Sequence, residues 1–366
     1  MGASGQGRLV NLRRMLAACV GVASIHLTTP SVSISVQTPA APHPRGYVAF
    51  RAGQSPHIDG RVDDSVWLAA PWSDTFIDIE GDRKPRPRFE TRVKMLWDAD
   101  YFYVGAELRD PHVWGTLTTH DAVIFHDPDF EVFIDPNGDN HEYYEFEINA
   151  LGTFWDLFLP KPYKDDGKPM NAWEIPGLKS AVFVDGTLND PRDTDRGWSV
   201  EIAFPWRVLA EQARRPAPPE EGDQWRVNFS RVQWPFDTTT GKYVKPKDAR
   251  EDNWVWSPQH VVDMHRPELW GYVQFTSRAP GAVTFVPDRS WPARAWLHRA
   301  YYAQREYRKA HGRFATTIDD LKLGAPGPEL SEPTLHAAVS VFEAHVRLHG
   351  TGERWHIRQD SLVWKD

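Results

Sequence analysis

The segment Asp129-Phe-Glu-Val-Phe-Ile-Asp-Pro-Asn-Gly-Asp-Asn-His-Glu-Tyr-Tyr-Glu-Phe-Glu-Ile-Asn149 constrains the fold of this chain more than any other. Its period of two predicts two strands joined by a turn. Val132 and Ile134 share one face of the first strand, and Tyr144, Phe146 and Ile148 share one face of the second. These are the core sides. The opposite faces carry Glu131 and Asp135, then Glu145, Glu147 and Asn149. Pro136-Asn137-Gly138 supplies the turn chemistry. A face of carboxylates and amides backed by aromatics suits a polyhydroxylated ligand or a hard cation. It also suits plain solvation.

Similar short alternating runs, broken by Gly, Pro, Asn and Asp, extend over residues 46–276. This spacing predicts a mainly β fold, an antiparallel β-sandwich or barrel rather than alternating β/α units. Short helices are expected over residues 63–70, capped by Asp63 or Asp64, and over 206–213. Ala279-Pro-Gly281 and Pro287 then mark a boundary. Residues 291–309 have helical spacing, with Gly312 as the stop. Strand-like runs over 338–348 and 353–364 complete a small α+β appendage, residues 287–366, expected to pack on the sandwich.

The length allows one large domain and a smaller one. A net charge of −8 argues against electrostatic nucleic-acid binding. Arg8, Arg13 and Arg14 precede a short apolar run at residues 15–27, the pattern of a secretory signal over 1–34, with a linker over 35–45. The expected location is secreted or periplasmic. Leu16-Ala-Ala-Cys19 resembles a lipoprotein box, so a lipid anchor at Cys19 is the alternative. Cys19 is the single cysteine, which leaves the mature chain without thiol or disulfide chemistry. The rest of the sequence has no transmembrane candidate. Tryptophan is the outlier at 17 residues; it stacks well on sugar rings, although most of these are expected in packing.

Several runs in order carry a family resemblance. They are Ile58-Asp-Gly-Arg-Val-Asp-Asp-Ser-Val-Trp67, Val93-Lys-Met-Leu-Trp-Asp-Ala-Asp-Tyr-Phe-Tyr-Val104, Asp110-Pro111, Asp129-Phe-Glu-Val-Phe-Ile-Asp-Pro136 and Glu145-Phe-Glu-Ile-Asn149. Gly197-Trp-Ser-Val-Glu-Ile-Ala-Phe-Pro-Trp206, Val227-Asn-Phe-Ser-Arg231, Trp256-Ser-Pro258 and Trp270-Gly271 follow. Together, over residues 46–276, they resemble the family 9 carbohydrate-binding modules among the DOMON-like sandwiches. The resemblance implies glucan or xylan binding and largely structural calcium, and it places a sugar-contacting acid at Glu131. Two family features differ here. Phe125 stands where one clamping tryptophan is expected, and Glu147 where an arginine is expected. Residues 259–269 lack the second tryptophan, with His260 and His265 as their only rings. Trp114, Trp155, Trp173, Trp234 and Trp254, in loop-like contexts, are the candidate replacements. The expected ligand set is Glu131, Phe125, Glu147, Asn149, Trp114, Arg231, Trp234 and Trp254. Residues 300–321 resemble the helix and loop of bacterial pilin-like proteins without their hydrophobic N-terminal helix, so no pilus role is expected.

Other chemistry is sparse. Asp135-x-Asn137-x-Asp139 starts like a calcium loop, but its twelfth position is Phe146; an Asx turn competes with a metal role. Asp59 and Asp110 are the other calcium candidates. Glu145 and Glu147, about 6.5–7 Å apart at their Cα atoms along one strand, suit neither glycosidase geometry uniquely. No nucleophile elbow, P-loop or dinucleotide motif is present. His112, His120, His126 and His141 cluster in sequence, which leaves open a gathering at one end, but surface or turn positions are the favoured expectation. The reading is non-catalytic binding of an oligo- or polysaccharide, in support of carbohydrate catabolism. Its rivals are a haem-binding DOMON-like redox module using Met264 with His260 or His265, a scaffold with a decayed sugar site, and an O-glycosyl hydrolase. No nucleic-acid partner is expected.

Overall fold

The period-two pattern of the sequence becomes a large twisted sheet whose inward residues meet in one core. The computed structural model describes residues 42–366. The expected signal and most of the expected linker, with Cys19, therefore lie outside the described residues. In chain order the elements are β1 (Gly46–Arg51), α1 (Ser65–Ala69), β2 (Ile77–Asp78), β3 (Thr91–Trp97), β4 (Tyr101–Arg109), β5 (Asp129–Asp135), β6 (Tyr143–Asn149) and β7 (Phe154–Leu159). Next come β8 (Lys179–Asp185), β9 (Gly197–Pro205), α2 (Trp206–Leu209), β10 (Gln224–Gln233), β11 (Asp252–Val255) and β12 (Gly271–Thr276). Then follow α3 (Trp291–His311), β13 (Leu330–Ala337), β14 (Phe342–Leu348), β15 (Arg354–Arg358) and β16 (Val363–Lys365).

The first twelve strands form one sheet in the order β7-β6-β5-β10-β12-β1-β3-β4-β9-β8, with β11 and β2 branching from β10. The sheet curls into a sandwich. Val132, Ile134, Phe146, Ile148 and Phe229 from one half share a buried cluster with Val93, Met95, Val104, Ile202 and Phe204 from the other. The pairing is antiparallel except at β1, which runs parallel to both β12 and β3. Trp97, Trp198, Trp206, Trp225, Trp254 and Trp256 all lie in this cluster, so most of the tryptophan surplus is packing.

The runs Ile58–Trp67 and Gly197–Trp206 prove to be two halves of one structural latch. Glu201 on β9 accepts hydrogen bonds from Asp59 N–H, Gly60 N–H and Trp67 Nε1 at 2.8, 2.8 and 2.6 Å. Gly60 sits at φ +91°, and a Cβ there would lie 2.5 Å from Phe183 N. Only glycine fits this close approach. The spacing from Asp59 to Trp67 is thus set by one buried carboxylate.

α3 lies on a separate four-stranded antiparallel sheet, β13-β14-β15-β16. Its Ala293, Trp296, Leu297, Ala300 and Tyr301 face Ala344, Val346, Trp355 and Ile357. Gly312 ends it in the left-handed conformation (φ 72°), as expected of a glycine stop. The run expected over 338–348 is β14, the run expected over 353–364 is divided by a turn into β15 and β16, and β13 lies ahead of both, where no strand was expected. The appendage is tied to the sandwich through Asp165, which accepts from Tyr301 Oη at 2.5 Å and Ser361 Oγ at 2.7 Å. Among the described residues no helix is long and apolar enough to cross a membrane.

Candidate functional site

Cross-strand register aligns the polar face of the hairpin into rows. Ser230 pairs with Glu131, Glu131 with Glu147, and Glu147 with Trp155. One row along, Phe133 pairs with Glu145 and Glu145 with Leu157. The face is opposite the core, as alternation predicts, yet it is not solvated. Glu131 and Glu145 are 5% exposed and Glu147 is 2% exposed. A second hydrophobic cluster covers them, built from Phe133, Tyr143, Trp155, Leu157, Met264 and Trp270. The signal for this cover was Phe133 and Tyr143, two large apolar side chains among the carboxylates.

The cover is the segment 259–269. It is held by Ile79 O, which accepts from Gln259 and His260 N–H at 3.0 and 2.8 Å. Met264 O accepts from Trp270 Nε1 at 2.8 Å, and His265 O accepts from Lys164 Nζ at 3.1 Å. Under this segment lies a pocket of about 480 Å³. Glu131, Glu145, Glu147 and Trp155 line its floor, and Phe125, Tyr163 and Val262 stand at its rim. Phe125 is half-buried, Tyr163 41% exposed and Val262 60% exposed.

The floor is short of partners. Glu147 Oε2 accepts from Phe125 N–H at 3.0 Å. Glu145 Oε2, Trp155 Nε1 and Asp129 Oδ2 are buried with no hydrogen-bond partner. Burial raises the Glu131 carboxyl to about 7. Burial first, and then neighbouring carboxylates, hold Asp129, Glu145 and Glu147 well above the usual range. Such a cluster must be relieved by protons, by a cation or by ligand hydrogen-bond donors. Two larger concavities, of about 540 and 630 Å³, lie elsewhere. The first is lined by Arg215, Arg226 and Arg294 beside Asp223 and Asp288, and the second by apolar residues such as Trp72 and Phe285. Neither contains a residue of the expected ligand set.

Of that expected set, Glu131, Phe125 and Glu147 come together in the pocket. The rest serve other ends. Asn149 is fully buried, donating to Leu117 O and Asp127 while its own Oδ1 accepts from Leu151 and Thr153 N–H. Trp114 and Trp234 belong to a satellite cluster with Tyr243, and Trp234 Nε1 donates to Phe125 O at 2.8 Å. They support the rim rather than face the pocket. Trp254 lies on β11, not in a loop, and its ring is core. Trp155 likewise lies on a strand, β7. Arg231 is 1% exposed and ion-paired with Asp110 at 2.9 Å. Trp155, Tyr163, Met264 and His265 are among the other residues that line the pocket. Only Trp155, Met264 and His265 had been singled out from sequence, and Tyr163 carried no signal because its chain segment meets the pocket only in three dimensions.

The four weak calcium candidates all have partners within the chain. Asp59 accepts from Arg61 N–H, and Asp110 pairs with Arg231. Asp135 accepts from Gly138 and Asn140 N–H, and Asp139 from His141 N–H and Asn137 Nδ2, which makes the loop an Asx-type turn. Asp129, Glu131 and Glu147 fit a hard cation better, with one oxygen from each lying within 4.8 Å of the others. Met264 and His265 do not fit haem. They are chain neighbours, which cannot stand on opposite faces of one macrocycle, and His265 Nδ1 is engaged by Tyr143 Oη at 2.8 Å. His112, His120 and His141 do not gather: they contact Tyr243, Glu174 and Asp360 respectively.

The family model described as "Carbohydrate family 9 binding domain-like" matches residues 58–274. The chain belongs to this family. Residues of the family 9 domain are 27% identical over 155 residues to Exoglucanase XynX of Acetivibrio thermocellus, covering 42% of this chain and 12% of that protein. They are 28% identical over 155 residues to Endo-1,4-beta-xylanase A of Thermoanaerobacterium saccharolyticum, covering 42% and 11%. The chain thus spans about a tenth of the length of these relatives. A family 9 carbohydrate-binding module from Caldicellulosiruptor kristjanssonii, solved with cellotriose, is 17% identical, with a TM-score of 0.43, 67% of this chain and 100% of that chain covered. The same organism's module solved with glucose gives 16%, 0.42, 65% and 100%.

Proposed function

We propose that this family 9 domain binds an oligo- or polysaccharide of the glucan or xylan class, without cleaving it, outside the cytoplasm and in support of carbohydrate catabolism. The observation that carries the reading is the carboxylate-floored pocket, where Glu145 Oε2 and Trp155 Nε1 lack protein partners. Hydroxyl groups both donate and accept, so one sugar ring can satisfy a buried acceptor and a buried donor together. Phe125 and Tyr163 offer apolar ring faces at the mouth in place of a tryptophan clamp. The sugar class follows the names of the two partial relatives, an exoglucanase and an endo-1,4-beta-xylanase.

The crowding of the acids supports binding without hydrolysis. Oxygens of Asp129, Glu131 and Glu147 lie within 4.8 Å of one another. A retaining pair needs about 5–5.5 Å between carboxyl groups and an inverting pair about 6.5–9.5 Å. The deciding experiment is a glycan array followed by calorimetry on cello- and xylo-oligosaccharides. Binding to one of these series, lost in Glu131→Ala, supports the reading. No binding across glucans, xylans and other polysaccharides overturns it.

A further inference from the structure

Alternate residues of the second sheet turn away from α3 and carry a different chemistry. Phe342, Ala344, Val346, Trp355 and Ile357 face the helix. Glu343, His345 and His356 occupy the other face. His345 and His356 are direct cross-strand partners, with ring centroids 5.2 Å apart. Glu343, two residues before His345, places Oε1 2.9 Å from His356 Nδ1. One donor atom from each of the three lies within 4.8 Å of the others.

The ring of His356 is held in a metal-ready orientation. It is 6% exposed and stacks on Trp364 at 5.0 Å with an interplanar angle of 11°. Its Nε2 faces Asp366 Oδ1 at 3.3 Å while Nδ1 faces Glu343. Nδ1 makes the ring's hydrogen bond, to Glu343, while Nε2 is buried without a hydrogen-bond partner; when Nδ1 ligates a metal the proton belongs on Nε2, where a carboxylate placed like Asp366 orients the ring. His345 Nδ1 is buried with no partner.

We propose that Glu343, His345 and His356 form a binding site for a divalent transition metal of the zinc class, with Asp366 orienting His356 from behind. Two imidazoles and one carboxylate are borderline donors that suit zinc or cobalt rather than calcium. His336, whose ring lies 6.0 Å from that of His345, stands beside it. The site lies in the second sheet and does not depend on the sugar-binding reading.

The test uses the full chain stripped with a chelator and titrated with Zn²⁺ by calorimetry and with Co²⁺ by visible absorption. The expected result is one equivalent bound at the histidines, a Zn²⁺-dependent rise in Tm, and a Co²⁺ spectrum of low-symmetry nitrogen–oxygen coordination. His345→Ala and His356→Ala should each weaken Zn²⁺ at least tenfold. Asp366→Asn should weaken it by about tenfold with the stoichiometry kept. Circular dichroism of the metal-free variants checks folding, and Glu343→Gln gives a second, conservative variant should His356→Ala fail to fold. Zn²⁺ binding that is absent, or unchanged in His345→Ala and Glu343→Gln, overturns the site.

Discussion

Glu201 and Glu131 are both carboxylates on inner strands of one sheet, and both are buried, yet their surroundings are opposite. Glu201 receives three hydrogen bonds, from two backbone N–H groups and an indole. Glu131 sits with Asp129, Glu145 and Glu147, whose charge neighbours are one another. Burial raises both carboxyls, but at Glu201 the three donors oppose the rise. A buried charge that is fully solvated by the protein holds the fold. A buried cluster that the protein leaves unsolvated costs stability, and the cost is recovered when something else enters. The first region explains how the chain folds, and the second is where we propose that it meets a ligand.

Breaking the satisfied carboxylate should have the largest effect. Glu201→Ala strands three buried donors, each worth about 1–3 kcal/mol, so urea denaturation should show a loss of at least about 3 kcal/mol. Glu131→Ala should do the reverse. Calorimetry with the best oligosaccharide should show affinity reduced at least tenfold, about 1.4 kcal/mol, while Tm stays level or rises. If Glu131→Ala unfolds the domain as Glu201→Ala does, the contrast fails.

The pH dependence separates the two regions further. Glu131 has its native carboxyl raised from 4.5 to about 7, so the folded state holds a proton that the unfolded state has released. Its contribution is therefore fully present below about 4.5 and is lost as pH rises to about 7. Asp129, Glu145 and Glu147 are shifted in the same direction. Tm measured across this window should fall with rising pH, and Glu131→Gln with Glu147→Gln should flatten the slope. A Tm that climbs over the same window would show these carboxylates to be charged and compensated. The smallest effect is expected at the rim: Phe125→Ala should weaken sugar binding about three- to tenfold by removing one ring face, with little change in Tm.

Much of this was legible in the chain. The alternation in residues 129–149 assigned Val132, Ile134, Tyr144, Phe146 and Ile148 to the core and the carboxylates to the other face, because strand geometry leaves no other choice. Glu131, Phe125 and Glu147 were readable as one neighbourhood through motif order. Trp254 and Arg231 were not readable as core. A large amphipathic side chain in a short run serves a surface or an interior equally well until its partners, here Phe89 and Asp110, are brought to it. Asp135 and Asp139 show the same ambiguity, which local N–H groups resolve toward a turn.

By itself, then, the sequence determined the pleat: which side chains go in, which go out, and that a carboxylate row crosses the hairpin. Only the tertiary structure decided that this outward row is roofed by the segment 259–269 and becomes the floor of a pocket. The reason is physical. A strand's period specifies a face, while the dielectric that face experiences depends on chain more than a hundred residues away.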